Sequence, residues 1–154
     1  MANDHVDLVR RGYEAANRAD VEGSLTHVSP DIEWRWAGAP LHGVAEVREM
    51  LEGAIQVLRS SLEVKELVAV GQHQVLAVVH QYSSWRETAV RGQAEPGIWT
   101  RRLDLWTFSD GLAVRYEQYF ATEGLLEFAK RDRAAAEDPA RRERWFHNLF
   151  RRSI

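Results

Sequence analysis

The chain has 154 residues, of which 45% are hydrophobic, and a formal net charge of −3. That length suits one domain with a single core, and the balanced charge gives no indication of nucleic-acid binding. Cysteine is absent, which excludes disulfides, thiol catalysis and cysteine metal sites. The N-terminal residues lack the features of a signal peptide, and no apolar run approaches the roughly 18 residues of a membrane span. We therefore expect a cytoplasmic protein with no membrane partner.

The first 60 residues predict three helices and one strand. Apolar residues at helical spacing mark the first and third helices, over about residues 6–16 and 44–58. Asp20 is the expected N-cap of a short second helix, which the turn signal Ser29-Pro30-Asp31 ends. Residues 32–36 then alternate between apolar and polar, which is typical of a strand.

The remaining residues predict mainly strands. Strands are expected over about 62–70 and 75–85, a loop over 87–97, and a hairpin over 98–120 whose turn contains Asp110-Gly111. A helix over about 122–133 and a last helix beginning near Pro139 complete the chain. Helices followed by mostly antiparallel strands indicate the α+β class, with a curved sheet that carries helices on one face.

Asp104 is the most informative residue of the hairpin. Side chains alternate across a strand, so its carboxyl group shares a face with Trp106 and Phe108. A carboxylate on an apolar face is costly unless it is paired, protonated or used in chemistry. A three-residue loop would place Asp104 opposite Tyr116 and Arg102 opposite Gln118, which predicts a polar cluster within an apolar hairpin.

Four strings in this order resemble the nuclear transport factor 2-like superfamily, in particular its SnoaL-like polyketide cyclase branch. They are YEAANRAD (13–20), PDIEW (30–34), LHGVAEVREML (41–51) and LDLWTFSDGLAVRYEQYF (103–120). The resemblance covers about residues 5–130. It implies a cone-shaped sheet that helices close around a deep pocket, commonly in a homodimer. We expect a SnoaL-like domain over 1–133 and a C-terminal helical extension over 134–154.

The resemblance also implies which side chains face the pocket. It makes Asp104 the leading acid/base residue, with His80 assisting it. The residues that it places around a small hydrophobic organic ligand are Trp34, Trp36, Tyr82, Arg102, Trp106, Tyr116 and Gln118.

Other chemistries of the superfamily match the chain less well. The base aspartate of ketosteroid isomerases falls at Trp36 here, and their oxyanion tyrosine falls at Gly12. The Asp-Arg-Asp triad of limonene-epoxide hydrolases falls at Tyr82, His80 and Gln118, so no triad member is retained. Scytalone dehydratases use two pocket histidines. His80 is similar in placement to one of them, and the other has no clear counterpart in this chain.

Each of these residues has a structural alternative. Asp104 could be held by Arg102 or Tyr116 for stability alone, and Arg102 could instead bind an anionic group or lie at a solvated rim. His80 could be a core histidine, and the tryptophans could be core packing. The sequence contains no HExxH, phosphate-binding or nucleophile-elbow motif, so we expect neither a metal nor a cofactor.

Two functions remain open at this point. The first is a cofactor-independent acid/base enzyme, of the cyclase, isomerase or dehydratase kind, that acts on a hydrophobic ring-bearing molecule. The second is a non-catalytic binding or interaction module on the same fold. The tail, residues 139–154, contains five arginines around an apolar stripe. It could be a lid, a dimer arm, a membrane-surface helix or a docked helix, of which we favour docking on protein.

Overall fold

The computed structural model describes residues 2–36, 39–86 and 97–120. Three helices come first: α1 (Ala2–Asn17), α2 (Val21–Leu25) and α3 (Val44–Val57). The strands are β1 (Val28–Arg35), β2 (Leu41–His42), β3 (Leu58–Val70), β4 (Gln74–Trp85), β5 (Gly97–Ser109) and β6 (Leu112–Phe120). The predicted α+β class is confirmed. The expected helix over 122–133, the last helix, the tail and most of the loop over 87–97 lie outside the described residues.

The six strands form one curved sheet in the order β2-β1-β6-β5-β4-β3. All neighbouring strands are antiparallel except β1 and β6, which pair in parallel. Consecutive strands from β3 to β6 are antiparallel neighbours, whereas the parallel pair brings the N-terminal strand against the C-terminal one. This arrangement places residues from both halves of the chain on one sheet face.

One of the two helix signals around α2 has the expected structural role. Asp20 caps α2, because its side chain accepts a hydrogen bond of 2.8 Å from the backbone N–H of Gly23. The expectation that residues 29–31 end this helix is wrong, because α2 already ends at Leu25 and these residues lie inside β1, which begins at Val28 and runs through Pro30. The register of β1 against β6 shifts between Val28 and Glu33, so an irregular stretch of the strand accommodates the proline.

The turn of the β5–β6 hairpin has two residues rather than three. Ser109 pairs with Leu112, and both Asp110 and Gly111 have positive φ angles, of 51° and 79°. Positive φ at both central positions is the requirement of a type I′ turn, which Asp-Gly satisfies. A bulge between Thr107 and Phe108 shifts the register once more.

The register predicted for this hairpin is therefore wrong. Asp104 lies opposite Gln118, Trp106 lies opposite Tyr116, and Arg102 lies opposite Phe120. The residue types on the inner face are nevertheless the expected ones, because the shift for these pairs is an even number of residues.

The core lies between the helices and the inner face of the sheet. Val9 and Tyr13 of α1 pack with Val47 of α3, and the sheet contributes Ile32 and Trp106. His27, which follows α2, is also buried, with its ring centroid 5.3 Å from that of Trp106 and 6.3 Å from that of Phe108.

The absence of a side chain at Gly12 allows the His27 ring to pack closely against α1. A Cβ atom at Gly12 would lie 2.7 Å from Cε1 of His27. The ring cannot retreat, because Trp106 and Phe108 pack against it. The close approach of the ring to the helix therefore requires glycine at this position.

The outer face of the sheet is partly apolar. Trp99 is 56% exposed, Tyr119 is 56% exposed and Leu103 is 43% exposed, whereas Leu105 is half-buried. Leu103 and Tyr119 are directly opposite each other on β5 and β6. Over residues 2–36, 39–86 and 97–120, no helix is long and apolar enough to cross a membrane.

We expect Gly12→Ala and Gly53→Ala to change stability in opposite directions. Both glycines are inside helices, where alanine is intrinsically favoured by about 0.5–1 kcal/mol. A Cβ atom added at Gly53 would meet no atom of the described residues within 4 Å, so that substitution gains the full amount. At Gly12 the clash with His27 costs about 1–3 kcal/mol and outweighs the gain. Urea unfolding measures both changes, and a stabilised Gly12→Ala would show that the ring can move.

We also expect stability to fall as the pH is lowered from 6.5 to 4, with His27 as a main cause. Burial lowers the pKa of His27 to about 4, and the charge of Arg11 adds to this effect. In that pH window the unfolded chain binds a proton at His27 that the folded chain does not. The free energy of unfolding therefore falls with pH, by about 3 kcal/mol for the full window.

The His27 contribution is measured by urea unfolding at several pH values. In His27→Leu the slope of stability against pH between 4 and 6.5 is expected to become smaller. His42→Gln is the matched control, because His42 is exposed and its side chain is outside the core. Equal slopes in the wild-type protein and His27→Leu would refute the assignment.

Candidate active site

A cavity of about 430 Å³ opens between the helices and the inner face of the sheet. Its walls are mainly apolar and aromatic, with polar groups concentrated on the strands, which is usual for a small-molecule site. The helices and the turn between α1 and α2 contribute Gly12, Tyr13, Ala16, Asn17, Ala19, Asp20, Val21, Ser24, Leu25, Met50, Leu51, Ala54 and Ile55. The strands and the residues that directly follow them contribute Trp34, Trp36, Leu58, Arg59, Ser60, Leu62, Gln81, Ser83, Arg86, Thr100, Arg102, Trp106, Tyr116 and Gln118.

Three aromatic rings form one continuous surface of this cavity. The ring centroids of Trp34 and Tyr116 are 3.9 Å apart, and those of Trp106 and Tyr116 are 4.5 Å apart. Trp34 and Trp106 meet edge to face at 5.6 Å. Trp34 and Tyr116 are direct partners in the parallel β1–β6 pair, so the sheet register itself builds this surface. Flat aromatic walls suit a ligand that contains rings.

Asp104 is fully buried on the inner face of β5, directly behind the wall of the cavity. One carboxylate oxygen, Oδ2, accepts hydrogen bonds from the Tyr13 hydroxyl and from Nε of Arg102, the latter at 3.1 Å. Nη2 of Arg102 forms an ion-pair contact of 2.9 Å with the same oxygen. The other oxygen, Oδ1, has no hydrogen-bond partner among the residues that the structure describes. The carboxylate is therefore held firmly on one side only.

Arg102 forms a mostly buried ion pair with Asp104 and is itself anchored. Its Nη1 donates a hydrogen bond of 2.6 Å to Oε1 of Gln81 on β4. Burial alone lowers the pKa of Arg102, but the negative charge of Asp104 outweighs this effect and the pKa is raised. The guanidinium group is therefore cationic, and it compensates the charge of Asp104.

Tyr13 connects the ion pair to the cavity. Its hydroxyl donates to Asp104 and accepts a hydrogen bond of 3.2 Å from Nε1 of Trp106. Burial raises the pKa of Tyr13 well above its usual range, and the charge of Asp104 raises it further. The phenol is therefore neutral, and it lines the cavity while Asp104 lies behind it.

Tyr116 and Gln118 complete the polar group on β6. Nε2 of Gln118 donates a hydrogen bond of 2.8 Å to the Tyr116 hydroxyl. Burial raises the pKa of Tyr116 well above its usual range, with a second contribution from the charge of Asp104. Oε1 of Gln118 is buried and, within the described part of the chain, has no hydrogen-bond partner.

Six of the sequence-predicted site residues line the cavity as expected: Trp34, Trp36, Arg102, Trp106, Tyr116 and Gln118. Asp104 is in the predicted environment, and the open question about Arg102 has an answer, since it pairs with Asp104. These residues come from β1, β5 and β6, or directly follow β1, where alternation of side chains assigned the inner face.

The predicted placement of His80 and Tyr82 is wrong. The buried, inward residues of β4 are Val75, Ala77 and Val79, so His80 and Tyr82 face the opposite side of the sheet. His80 lies opposite Arg101 and Glu63, and the partner of Asp104 on β4 is Ala77. The apolar run over residues 75–79 has no alternation, so its sequence does not indicate which face is inward.

Tyr13, Gln81 and Ser83 are cavity residues that the sequence analysis missed. Gln81 and Ser83 follow from the corrected face of β4. Tyr13 was assigned only to the apolar face of α1, although it contacts Asp104 across 91 residues of sequence. A buried tyrosine hydroxyl needs a hydrogen-bond partner, and a buried carboxylate needs donors. These two requirements together could have suggested the contact between Tyr13 and Asp104.

The described segments contain no group of three or more His, Cys, Asp or Glu side chains that could hold a metal ion. The chemistry that the cavity can perform with its own residues is proton transfer. A neutral phenol touches both the cavity and a carboxylate, and that carboxylate has a cation beside it. An aromatic wall lies next to this group and can orient a ring.

Comparison with known proteins identifies the family. The family model of the SnoaL-like domain matches residues 9–116. No curated protein matches the chain in sequence.

Solved structures with the same fold include proteins that carry different functional names. A structure assigned as a polyketide cyclase from Xanthomonas campestris pv. campestris has 19% identity and a TM-score of 0.73, covering 82% of this chain and 97% of its own. TerC co-crystallised with polyporic acid has 22% identity and a TM-score of 0.70, and the match covers 82% of this chain and 98% of TerC. An LEH-like epoxide hydrolase of M. tuberculosis has 13% identity and a TM-score of 0.68, and the match covers 87% of this chain and 95% of the hydrolase.

These likenesses agree with the fold of N-terminal helices and a curved six-stranded sheet. The predicted resemblance is confirmed by the match over most of the chain. The protein belongs to the SnoaL-like family of the nuclear transport factor 2-like fold.

Proposed function

We propose that the protein is a cofactor-independent acid/base enzyme that acts on a hydrophobic, ring-bearing small molecule. The observation that carries the proposal is the chain of contacts from the cavity to Tyr13 and from Tyr13 to Asp104. The reaction is an isomerisation, cyclisation or dehydration, in which a proton leaves one atom of the ligand and a proton is returned at another.

The proton path follows from the positions of the two groups. A proton that leaves the ligand binds to Oη of Tyr13 while the hydroxyl proton of Tyr13 passes to Oδ2 of Asp104. The raised pKa of Tyr13 disfavours a free phenolate, so the two transfers occur together. The positive charge of Arg102 opposes lasting protonation of Asp104, which favours return of the proton to the ligand.

The names of structural neighbours support this class of ligand. One neighbour was crystallised with polyporic acid, and others carry the names polyketide cyclase and epoxide hydrolase. Each has less than 25% identity, so they support only the fold and its use as a small-molecule site. His80 has no role in the proposed proton path, because it lies on the other face of the sheet.

The second candidate function is a non-catalytic binding module. Two observations favour it: Arg102 pairs with Asp104, and Tyr13, Tyr116 and Gln118 separate the carboxylate from the cavity. In this case the cavity binds the same kind of ligand and releases it unchanged.

Substitution of Asp104 and Tyr13 distinguishes the two functions. A panel of polycyclic and hydroxylated aromatic compounds is incubated with the protein, and mass spectrometry with chromatography detects isomers or loss of water. Asp104→Asn and Tyr13→Phe are each expected to lower turnover by about 10²–10⁴-fold, because proton transfer is lost. Asp31→Asn is the matched control, since Asp31 is exposed.

Stability decides how a loss in Asp104→Asn is interpreted. That variant leaves a buried arginine unpaired, and thermal unfolding measures the cost. Tyr13→Phe keeps the ion pair, so its loss of turnover reports on the proton path alone. Ligand binding with no turnover by the wild-type protein, or full turnover by Tyr13→Phe, would favour the binding module or another path.

We also propose that the protein is a homodimer that covers the outer-face patch of Trp99, Leu103 and Tyr119. These exposed side chains lie on the adjacent strands β5 and β6 and form an apolar surface typical of an interface. A second copy is the proposed occupant, in agreement with the association expected from the sequence.

Light scattering is expected to give twice the chain mass of 17.7 kDa. Leu103→Lys should shift the protein to monomer, because it buries a charge in the interface. Leu112→Lys is the control, since Leu112 is similarly accessible but lies at the turn end of the hairpin. A monomeric wild-type protein would overturn the proposal.

A further inference from the structure

A second polar group lines the cavity at the end that is remote from the three aromatic rings. Ser60 and Ser83 belong to this group and are directly opposite each other on β3 and β4. Trp106 pairs instead with Val75, near the other end of β4, and with Tyr116 on β6. The cavity therefore has an aromatic end and a polar end, which lie towards opposite ends of β4.

Arg86 directly follows β4 and lines the polar end of the cavity. Its Nε donates a hydrogen bond to the backbone carbonyl of Ile55 in the last turn of α3, which holds the half-buried guanidinium group in place. No carboxylate of residues 2–36, 39–86 and 97–120 forms an ion pair with Arg86. The N–H groups on Nη1 and Nη2 are therefore suited to bind an acceptor of a ligand.

The hydrogen bonds of Gln81 determine what the two serine hydroxyls can offer a ligand. Oε1 of Gln81 accepts from Nη1 of Arg102, so the amide cannot be reversed without opposing two donors. Its Nε2 lies 2.9 Å from Oγ of Ser83 and 3.4 Å from Oγ of Ser60, and donates to both. The two Oγ atoms are 3.1 Å apart, so one hydroxyl donates to the other. The second hydroxyl proton has no acceptor among the described residues and can bind a ligand oxygen.

The charges that line the cavity favour an anionic ligand. Arg102 is compensated by Asp104. Of the other charged lining residues, Asp20 is negative and caps α2, whereas Arg59 and Arg86 are positive. One positive charge is thus in excess. A carboxylate supplies one negative charge and two acceptor oxygens, and its plane matches the fork of N–H groups on a guanidinium.

We infer that the ligand of this cavity is an aromatic carboxylic acid, whose rings lie against the aromatic end and whose carboxylate binds Arg86 and the hydroxyl pair of Ser60 and Ser83. A carboxylate held at the polar end would present the rings to Tyr13, which contacts Trp106 at the aromatic end. Arg86 is thus a specificity-determining residue. This inference rests on the proposed binding of ring-bearing molecules, but not on the proposed reaction.

The test compares two ligands of nearly the same shape, naphthylhexanoate and its neutral amide, naphthylhexanamide. Calorimetry near neutral pH measures their binding to the full-length protein. The carboxylate is expected to bind about 10-fold more tightly than the amide, because hydrogen bonds between charged groups are stronger than those between neutral groups. The carboxylate is also the more costly group to remove from water, so a cavity without a cationic partner would give the opposite order.

Substitution of Arg86 tests which group makes this selection. In Arg86→Gln, which removes the charge, the ratio of the acid and amide affinities is expected to fall to near 1. Arg86→Lys keeps the charge, so most of the preference for the acid should remain. Arg18→Gln is the matched control, since it makes the same change of charge at an exposed residue that does not line the cavity. Its ratio should equal that of the wild-type protein.

The outcomes separate this inference from the proposed function. Equal binding of acid and amide by the wild-type protein, or tighter binding of the amide, overturns the carboxylate specificity and leaves a site for ring-bearing ligands intact. A ratio that is unchanged in Arg86→Gln, or lost equally in Arg86→Lys, overturns the role of Arg86. Failure of both compounds to bind overturns the inference and the proposed ligand class together. If Arg86→Gln does not fold, the two ligands on the wild-type protein still decide whether the cavity selects a carboxylate.

Discussion

The ion pair of Arg102 and Asp104 determines how the cavity is built. Two charges on one apolar sheet face are stable only when each has partners, and here the partners come from separate parts of the chain. Tyr13 of α1 donates to Asp104, and Gln81 of β4 accepts from Arg102. The pair therefore links the N-terminal helix to two neighbouring strands. Removal of one partner of a buried pair leaves an uncompensated charge and costs about 3–5 kcal/mol.

The same ion pair sets the chemistry that the cavity can support. The charge of Asp104 is balanced by Arg102, whereas Asp20, Arg59 and Arg86 add further charges to the lining of the cavity. Tyr13 and Arg102 both bind Oδ2, whereas the buried Oδ1 has no hydrogen-bond partner among the described residues. Tyr13, which donates to Oδ2, also lines the cavity and is thus the contact between Asp104 and a ligand.

The likeness to solved structures with different functional names concerns the fold alone, because each has less than 25% identity. The sheet and helices supply a cavity with aromatic walls. A function is therefore argued from Tyr13 and Asp104, and not from the fold.

The sequence by itself determined the α+β class, the first three helices, the hairpin at Asp110-Gly111 and the inward face of β1, β5 and β6. Strict alternation on those strands and strong turn and cap signals are local, so they can be recognised without coordinates. The face of β4 could not be predicted, because Val75–Val79 is apolar throughout and both faces fit it equally well. The contact of Tyr13 with Asp104 and the open acceptors of Asp104 and Gln118 were decided only by tertiary structure. Packing of α1 on the sheet and the register of β5 against β6 bring together groups that are far apart in the chain. No local sequence pattern encodes their proximity in space.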